Sequence, residues 1–138
     1  MERIIVGVDF GEASERAARE AVDLARATGA ALHLVTATRR SGSRTVQGGG
    51  ESWTISDVDR ARDKLRALAG ALAPGTAVEC AVLEGDPAKA LTAEAERIGA
   101  DAIVVGNRRI SGVGRVLGAV ALDVIRHAPC AVYIAKTS

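Results

Sequence analysis

Short aliphatic runs alternate with segments of helical periodicity along the whole chain, and this alternation constrains the fold more than any other feature. Five runs rich in Val, Ile, Leu and Ala are typical of buried strands, at residues 4–8, 31–37, 77–83, 102–105 and 130–135. Four segments with apolar residues at helical spacing lie between them, at residues 14–28, 56–72, 87–98 and 118–127. The order β-α-β-α-β-α-β-α-β predicts one doubly wound parallel sheet with right-handed crossovers.

The composition of the chain fits a buried parallel sheet. The 138 residues are enough for one domain with a substantial core, and nothing indicates a second, so we interpret residues 1–138 as a single domain. Hydrophobic residues make up 48% of the chain but aromatic residues only 2%, so the interior must be built from aliphatic side chains. Such a core is typical of a parallel sheet with helices on both faces.

Local signals mark where the helices begin. Ser14 is the candidate N-cap of the first helix, and Gly29 offers its stop. Asp86 and Pro87 are typical of an N-cap followed by the first residue of a helix, and they predict the start of the third helix.

One segment, from Thr38 to Thr54, lacks any periodicity. It is rich in Gly, Ser and Arg, with three consecutive glycines at residues 48–50. Loops of this length inside compact domains are uncommon and often functional, and three arginines against one glutamate make this one basic. We expect a loop without regular structure, either a mobile lid or plain disorder.

The overall charge gives no reason to expect nucleic acid or a membrane as a partner. The formal net charge is +1, from 18 basic and 17 acidic residues. The N-terminus starts with a short strand and lacks the apolar length of a signal peptide or membrane span. Cys80 and Cys130 lie in apolar runs without metal-ligand spacing and are interpreted as buried free thiols. We expect a cytoplasmic protein.

A glycine-rich and arginine-rich segment follows the fourth strand, from Gly106 to Val120. Its glycines let the backbone approach a ligand, the helix that begins at its end offers N–H donors, and its arginines add positive charge. It indicates either a phosphate site or a loop whose small residues pack against a neighbouring strand. It contains no Gly-Lys-Ser/Thr motif, and Gly118 comes one residue too late for the dinucleotide fingerprint.

Two strand ends are expected to meet at one crevice. Ligands on doubly wound sheets bind beyond the carboxyl ends of the strands, where the winding direction reverses. If strands one and four are neighbours there, Asp9 and Gly106 face the same crevice. Asp9 is then either a hydrogen-bond acceptor for a ribose or base, or the cap of the following turn.

The whole chain resembles the universal stress protein family. The resemblance rests on Gly-Val-Asp at residues 7–9, Gly-Asp-Pro at 85–87, Val-Val-Gly-Asn at 104–107 and His-Ala-Pro-Cys at 127–130. It implies an α/β fold of the flavodoxin-like or adenine nucleotide α-hydrolase-like type, with a five-stranded parallel sheet in the order 3-2-1-4-5. It also implies a homodimer formed through the last, edge strand, from Cys130 to Ala135, although a helix could protect that edge instead.

The glycine-rich segment departs from the pattern of the ATP-binding members. In them, Gly, two residues, Gly and nine residues precede a Gly that is followed by Ser or Thr. Here Gly106 matches the first glycine, but Arg109 stands at the second, eight residues separate it from Gly118, and Ala119 replaces the hydroxyl residue. Arg109 either blocks the pocket or supplies a guanidinium to a phosphate.

The resemblance implies which residues would contact a nucleotide. On the adenine and ribose side they are Val8, Asp9, the backbone of Val35 and Thr36, and Gly106. On the phosphate side they are Arg108, Arg109, Gly118, Ala119 and Val120, with Arg115 a further candidate. Phe10, the sole phenylalanine, would lie over the nucleotide position or fill it.

Two functions stay open from the sequence. One is a regulator that binds ATP or another adenine nucleotide in the crevice and thereby changes its dimer or partner contacts. The other is a dimeric interaction module of the same fold that binds no nucleotide and contacts another protein. At most slow ATP hydrolysis is expected, because no Ser-His-Asp set, Cys-His pair or metal-ligand cluster stands at a shared site. His33 and His127 have no evident partner in the sequence.

Overall fold

The computed structural model describes residues 1–38, 43–48, 51–107 and 117–136, and for 43–48 and 51–56 it describes the backbone alone. The strands in this part of the chain are β1 (Arg3–Gly7), β2 (Ala31–Thr38), β3 (Ser43–Gly48), β4 (Glu51–Ser56), β5 (Val78–Glu84), β6 (Ala102–Gly106) and β7 (Ala131–Ala135). The helices are α1 (Glu12–Thr28), α2 (Asp57–Leu72), α3 (Pro87–Ile98) and α4 (Ala119–His127).

The main sheet has five parallel strands in the order β5-β2-β1-β6-β7. Among the five strands predicted from the sequence this is the order 3-2-1-4-5, so the predicted fold class is confirmed. The chain moves outward from β1 through β2 to β5, and then crosses back to β6 and β7 on the other side. The winding direction therefore reverses between β1 and β6, where a doubly wound sheet leaves a crevice.

Two apolar layers hold the helices against this sheet. On one face, the buried alanines of α1 and Leu65 of α2 pack with Ile4 and Val104. On the other face, α3 and α4 pack with Ile5 and Ile103. Because successive strand residues point to opposite faces, the central strands must be aliphatic at every position, which explains their uninterrupted apolar runs.

The prediction that the segment from Thr38 to Thr54 has no regular structure is wrong. β2 continues to Thr38, and β3 and β4 pair antiparallel, with Val46 opposite Trp53 in register. The segment contains several β-branched and aromatic residues, which favour strands. Its many Gly and Ser residues concealed that preference, because Gly48 is the last residue of β3 and the next two glycines fall between the two strands in the sequence, where a hairpin needs turn residues.

The helix ends agree with the sequence signals at two of three places. Gly11 rather than Ser14 is the N-cap of α1, so that prediction is wrong, and Ser14 lies within the first turn. Gly29 ends α1 in the left-handed region, at φ 74°. α3 begins as predicted, with the Asp86 carboxylate accepting the Lys89 N–H at 3.2 Å and a proline in the first turn.

Within the described residues, no helix combines the length and the hydropathy needed to cross a membrane.

Cys80 and Cys130 are both free and half-buried. Cys80 lies in β5 and Cys130 just before β7, which are the two opposite edges of the sheet. Burial raises the pKa of both thiols, so each is less readily ionised than an exposed cysteine. The prediction of free thiols is confirmed for this structure.

Candidate functional site

A cavity of about 330 Å³ opens at the carboxyl edge of the main sheet. Strands β1, β2 and β6 end at it, and helices α1, α3 and α4 begin around it. Its lining consists of Gly7, Val8, Asp9, Ala13, Ser14, Val35, Thr36, Ala37, Leu83, Pro87, Leu91, Val105, Gly106, Gly118, Ala119, Val120 and Ala121. Most of these residues are apolar or glycine, and only three have polar side chains, a lining typical of a pocket for a small organic ligand.

The strand register creates this cavity. The last residue of β1, Gly7, pairs with Val35, whereas β2 continues for three more residues. On the other side of β1 the last pair joins Val6 to Val104, whereas β6 continues to Gly106. The central strand therefore stops short of both neighbours and leaves a cleft between the ends of β2 and β6.

The main chain of Ala37 faces this cleft. The Val35 carbonyl accepts the Val8 N–H at 2.8 Å, so the polar backbone groups of Val35 point toward β1. The Thr38 carbonyl accepts the Gly85 N–H at 2.7 Å on the opposite side of β2. Since these directions alternate along a strand, the N–H and C=O of Ala37 point toward the space beyond the end of β1.

Asp9 is held in the turn between β1 and α1. Its Oδ1 accepts the Gly11 N–H at 2.8 Å and the Ser14 hydroxyl at 2.9 Å. The Ser14 oxygen in turn accepts the Asp9 N–H at 3.1 Å. This reciprocal pair fixes the carboxylate at the cavity wall, so the capping role that the sequence left as one alternative for Asp9 is present. The other alternative, a ribose or base contact, stays a prediction.

Phe10 lies elsewhere than the sequence predicted. Its backbone is in the left-handed region, at φ 65°, which is unusual for a residue other than glycine. The ring packs against the apolar layer under α1 and α2, with Lys64 Nζ 5.4 Å from its centroid, and it does not belong to the cavity lining. The expectation that Phe10 lies over or fills the ligand position is therefore corrected. The turn directs its side chain toward α2.

The start of α4 forms one wall of the cavity. Gly118 is its N-cap, in extended conformation, and Ala119 and Val120 begin the helix beside the cavity. The first N–H groups of a helix have no partner within the helix, and the helix dipole makes this end attractive to anions. No acidic side chain lies in the first turn of α4 to oppose an anion there. The cavity wall thus includes a group of backbone donors suited to a phosphate.

The structure brings together eight of the twelve residues predicted for the site. Val8, Asp9, Val35, Thr36, Gly106, Gly118, Ala119 and Val120 all line the cavity. Phe10 does not, and Arg108, Arg109 and Arg115 lie outside the described residues.

Several lining residues were missed from the sequence. Ser14 was interpreted only as a helix cap, and Ala37, Leu83, Pro87 and Leu91 were not considered. Pro87 carried a usable signal, because every helix that follows a strand in this sheet begins at the same edge. The apolar Leu83 and Leu91 carried no sequence signal that distinguishes them from other core residues.

Neither of the two histidines lines the cavity. Among the described residues, no three His, Cys, Asp or Glu side chains lie close enough together to hold a metal ion. His33 lies in the first half of β2, opposite Ile5 in register and so away from the cavity, and burial lowers its pKa. The Nδ1 of His127 contacts the Asp123 carbonyl oxygen at 2.9 Å, at the far end of α4.

These features define a doubly wound α/β protein with a cavity at the switch point of its parallel sheet. The sequence model of the universal stress protein family matches residues 1–136. The chain belongs to that family.

Two curated relatives are similar to this chain. A universal stress protein of Methanocaldococcus jannaschii is 28% identical over 141 residues, a match that covers 98% of this chain and 82% of the relative. One of Methanothermobacter thermautotrophicus is 32% identical over 76 residues, which cover 55% of this chain and 52% of the relative. The chain thus matches only about half the length of the second relative.

Two solved structures with bound nucleotides are also similar. A universal stress protein in complex with cAMP has a TM-score of 0.73 and 27% identity, and the match covers 99% of this chain and 98% of that one. The universal stress protein of Archaeoglobus fulgidus in complex with dAMP has a TM-score of 0.63 and 25% identity, with the same coverage of 99% and 98%.

Proposed function

We propose that this protein is a cytoplasmic regulator that binds an adenine nucleotide, such as ATP, in the cavity at the carboxyl edge of its sheet. The observation that carries the proposal is the position of the cavity, between the ends of β1, β2 and β6 and against the start of α4. The complexes of two similar proteins with cAMP and dAMP support an adenine nucleotide as the ligand class.

In this proposal, the base lies against the main chain of Ala37. Adenine presents the N6 amino group as a donor beside the N1 acceptor, which matches one backbone C=O beside one backbone N–H. Guanine presents an acceptor and a donor at the corresponding positions, so it does not match the same two groups. A backbone site of this kind selects adenine without any specialised side chain.

The sugar and phosphates take the remaining parts of the cavity. The Asp9 carboxylate, held by Ser14, is placed to accept a ribose hydroxyl, and Gly106 leaves room beside it. The phosphates meet the backbone donors of Ala119 and Val120 at the start of α4. The arginines at 108, 109 and 115 supply the positive charge that the described lining lacks.

The first experiment releases and identifies whatever the purified protein carries. The protein is denatured, the supernatant is separated by chromatography, and its contents are identified by mass spectrometry. Calorimetric titrations of nucleotide-free protein with ATP, AMP and GTP follow. We expect ATP and AMP to bind with micromolar or tighter affinity and GTP to bind more weakly. A protein that carries no nucleotide and binds none of the three would contradict the proposal.

A charge reversal tests where the phosphates bind. Arg109→Glu is expected to weaken ATP binding by about tenfold or more, because it replaces an attraction to the phosphates with a repulsion. Arg126→Glu is the matched control, since Arg126 is exposed in the last turn of α4, away from the cavity. Equal losses in the two variants would show only a general effect of net charge.

The second candidate is a dimeric interaction module, and one observation favours the dimer. β7 is an edge of the main sheet, so its outer backbone groups are available to a second strand. Tyr133 of β7 is 45% exposed, and Leu122 and Ile125 of α4 are also exposed near this edge. We propose that two copies associate through β7, from Cys130 to Ala135. The dimer is compatible with nucleotide binding, because the cavity opens at the carboxyl ends of the strands and not along the outer side of β7.

A further inference from the structure

Thr36 combines deep burial with a hydroxyl that opens into the cavity. Only 6% of the residue is exposed, and it is part of the cavity lining. Among the residues that the structure describes, no side-chain oxygen or nitrogen is both sealed from solvent and unpaired. The described part of the chain provides no hydrogen-bond partner for the Thr36 hydroxyl. The Thr36 hydroxyl oxygen therefore faces the cavity and makes no hydrogen bond to the described residues.

The other buried polar side chains of the described residues behave differently. There are two of them, Ser14 and Thr92. Ser14 donates to Asp9 Oδ1 at 2.9 Å, and Thr92 donates to the Ala88 carbonyl at 3.0 Å. Thr36 is thus the exception in a part of the chain where buried polar groups are otherwise paired, and such an exception calls for an explanation.

The position of Thr36 relates it to the base of a bound nucleotide. It directly precedes Ala37, whose main chain faces the cleft, and its neighbour across the strand pair is Val8, since Gly7 pairs with Val35. Its side chain is on the same face of the sheet as that of Leu34, toward α1. A base held by the Ala37 main chain therefore comes within reach of the Thr36 hydroxyl.

We propose that the Thr36 hydroxyl is a specificity-determining contact that hydrogen-bonds to the base of the bound adenine nucleotide. The inference rests on the proposed function and adds a side chain to a base site otherwise formed by backbone. In the free protein this hydroxyl opens into the cavity without a partner among the described residues, and the ligand supplies one. Thr36 thus raises the affinity of the protein for the ligand.

The affinity for ligand separates the proposal from a purely structural role. Threonine is also common in strands because its branched side chain packs well there. Valine retains that branched shape and has no hydroxyl. If Thr36 were present only for strand packing, Thr36→Val would leave ligand binding unchanged.

The test uses full-length, nucleotide-free protein and three variants, with AMP as the ligand. For Thr36→Val we expect AMP affinity about 3- to 10-fold lower than that of the wild type. Thr36→Ser retains the hydroxyl and should keep AMP affinity near the wild-type value. Thr92→Val is the matched control: it removes a paired hydroxyl, so it should lower the thermal midpoint and leave AMP affinity unchanged.

The outcomes distinguish this inference from the proposed function. If the wild type binds AMP and Thr36→Val binds it equally well, the inference is overturned while the proposed function stands. A wild type that binds no adenine nucleotide overturns both. Repeating the titrations with dAMP should show the same loss, and a loss confined to AMP would assign the bond to the sugar and overturn the base contact.

Discussion

The Asn107 Oδ1 accepts the Gly118 N–H at 2.7 Å and so joins the residue that follows β6 to the N-cap of α4. Eleven sequence positions separate the two residues. The Gly118 carbonyl accepts the Leu122 N–H at 3.0 Å, which is the first hydrogen bond of the helix. One side-chain amide therefore fixes the start of α4 relative to the end of the sheet, at the wall where we propose that phosphates bind.

We expect Asn107→Ala to loosen the start of α4. The variant removes the hydrogen bond to the Gly118 N–H, and the free energy of unfolding should fall by about 1 kcal/mol. Because the backbone donors of Ala119 and Val120 lose their fixed position, ATP affinity should fall by about 3- to 10-fold. Urea denaturation and calorimetric titration measure the two effects.

Asn107→Asp is the matched variant. It keeps an acceptor oxygen for the Gly118 N–H, so its unfolding free energy should stay closer to the wild type than that of Asn107→Ala. It also adds a negative charge beside the proposed phosphate site, so it should weaken ATP binding more than adenosine binding. If Asn107→Ala retained full stability and full affinity, the bond would have no role in positioning α4.

β1 and α3 approach each other closely at the floor of the cavity. A Cβ added to Gly7 would lie 3.0 Å from Cδ2 of Leu91, a buried side chain of α3. We expect Gly7→Ala to lower the free energy of unfolding by about 1–3 kcal/mol, because Leu91 must leave its packed position. Nucleotide affinity should fall as well, since both residues line the cavity.

Gly70→Ala is the control for this change. Gly70 lies within α2, and a Cβ there would meet nothing within 4 Å. Alanine is the better helix former, so this variant should gain about 1 kcal/mol in denaturant unfolding. If Gly7→Ala also gained stability, the close approach of β1 and α3 would not limit this position.

The fold was largely predictable because its signal is repeated along the chain. Each β-α unit carries an aliphatic run, a turn and a helical period, and the alternation of such units allows few topologies. The hairpin of β3 and β4 was missed because it occurs once and its Gly and Ser content is also typical of loops. The start of α1 was predicted two residues too late, at Ser14 instead of Glu12. Serine is a common helix cap, but here Ser14 bonds to Asp9 within the turn.

The candidate site was predictable as an edge of the sheet but not in its details. The convergence of Asp9 with Gly106 follows from the strand order, which the resemblance to the universal stress protein family implied. The direction of the Ala37 main chain depends instead on the register between β1 and β2, which a sequence pattern leaves open. The placement of Phe10 depends on one left-handed backbone angle, which no residue preference for phenylalanine would indicate.

The Asp101 carboxylate connects the start of β1 to the loop before β6. Its Oδ2 accepts the Glu2 N–H at 2.6 Å and the Arg3 N–H at 3.0 Å, and these two bonds hold the pKa of Asp101 below its usual range. A carboxylate whose pKa is lowered by folding stabilises the protein above its unfolded pKa of about 3.9. The stabilisation is lost as the pH falls through the lower pKa of the folded state.

We therefore expect Asp101→Asn to reduce the loss of stability in acid. Unfolding free energies of wild type and variant, measured by urea denaturation from about pH 6 to about pH 2, should differ most at the neutral end and converge at the acid end. Asp101→Ala should show the same weaker pH dependence and a lower stability at neutral pH, because alanine accepts neither backbone N–H. If the unfolding free energies of wild type and Asp101→Asn ran parallel over this pH range, this carboxylate would not contribute to the loss of stability in acid.

The edge strand β7 gives a prediction about assembly. Ala131 and Tyr133 are exposed on one face of β7, and the Tyr133 hydroxyl bonds to Glu20 of α1, which raises the pKa of the tyrosine. Introducing Ala131→Lys and Tyr133→Lys together places charge along the exposed edge strand β7, which opposes strand pairing, and the lysine at 133 can still bond to Glu20.

Light scattering after size exclusion should give twice the mass of one chain for the wild type and a shift toward the mass of one chain for the variant. Glu79→Lys on β5, the opposite edge, should remain dimeric, and a wild type that stays monomeric at every concentration would contradict pairing through β7.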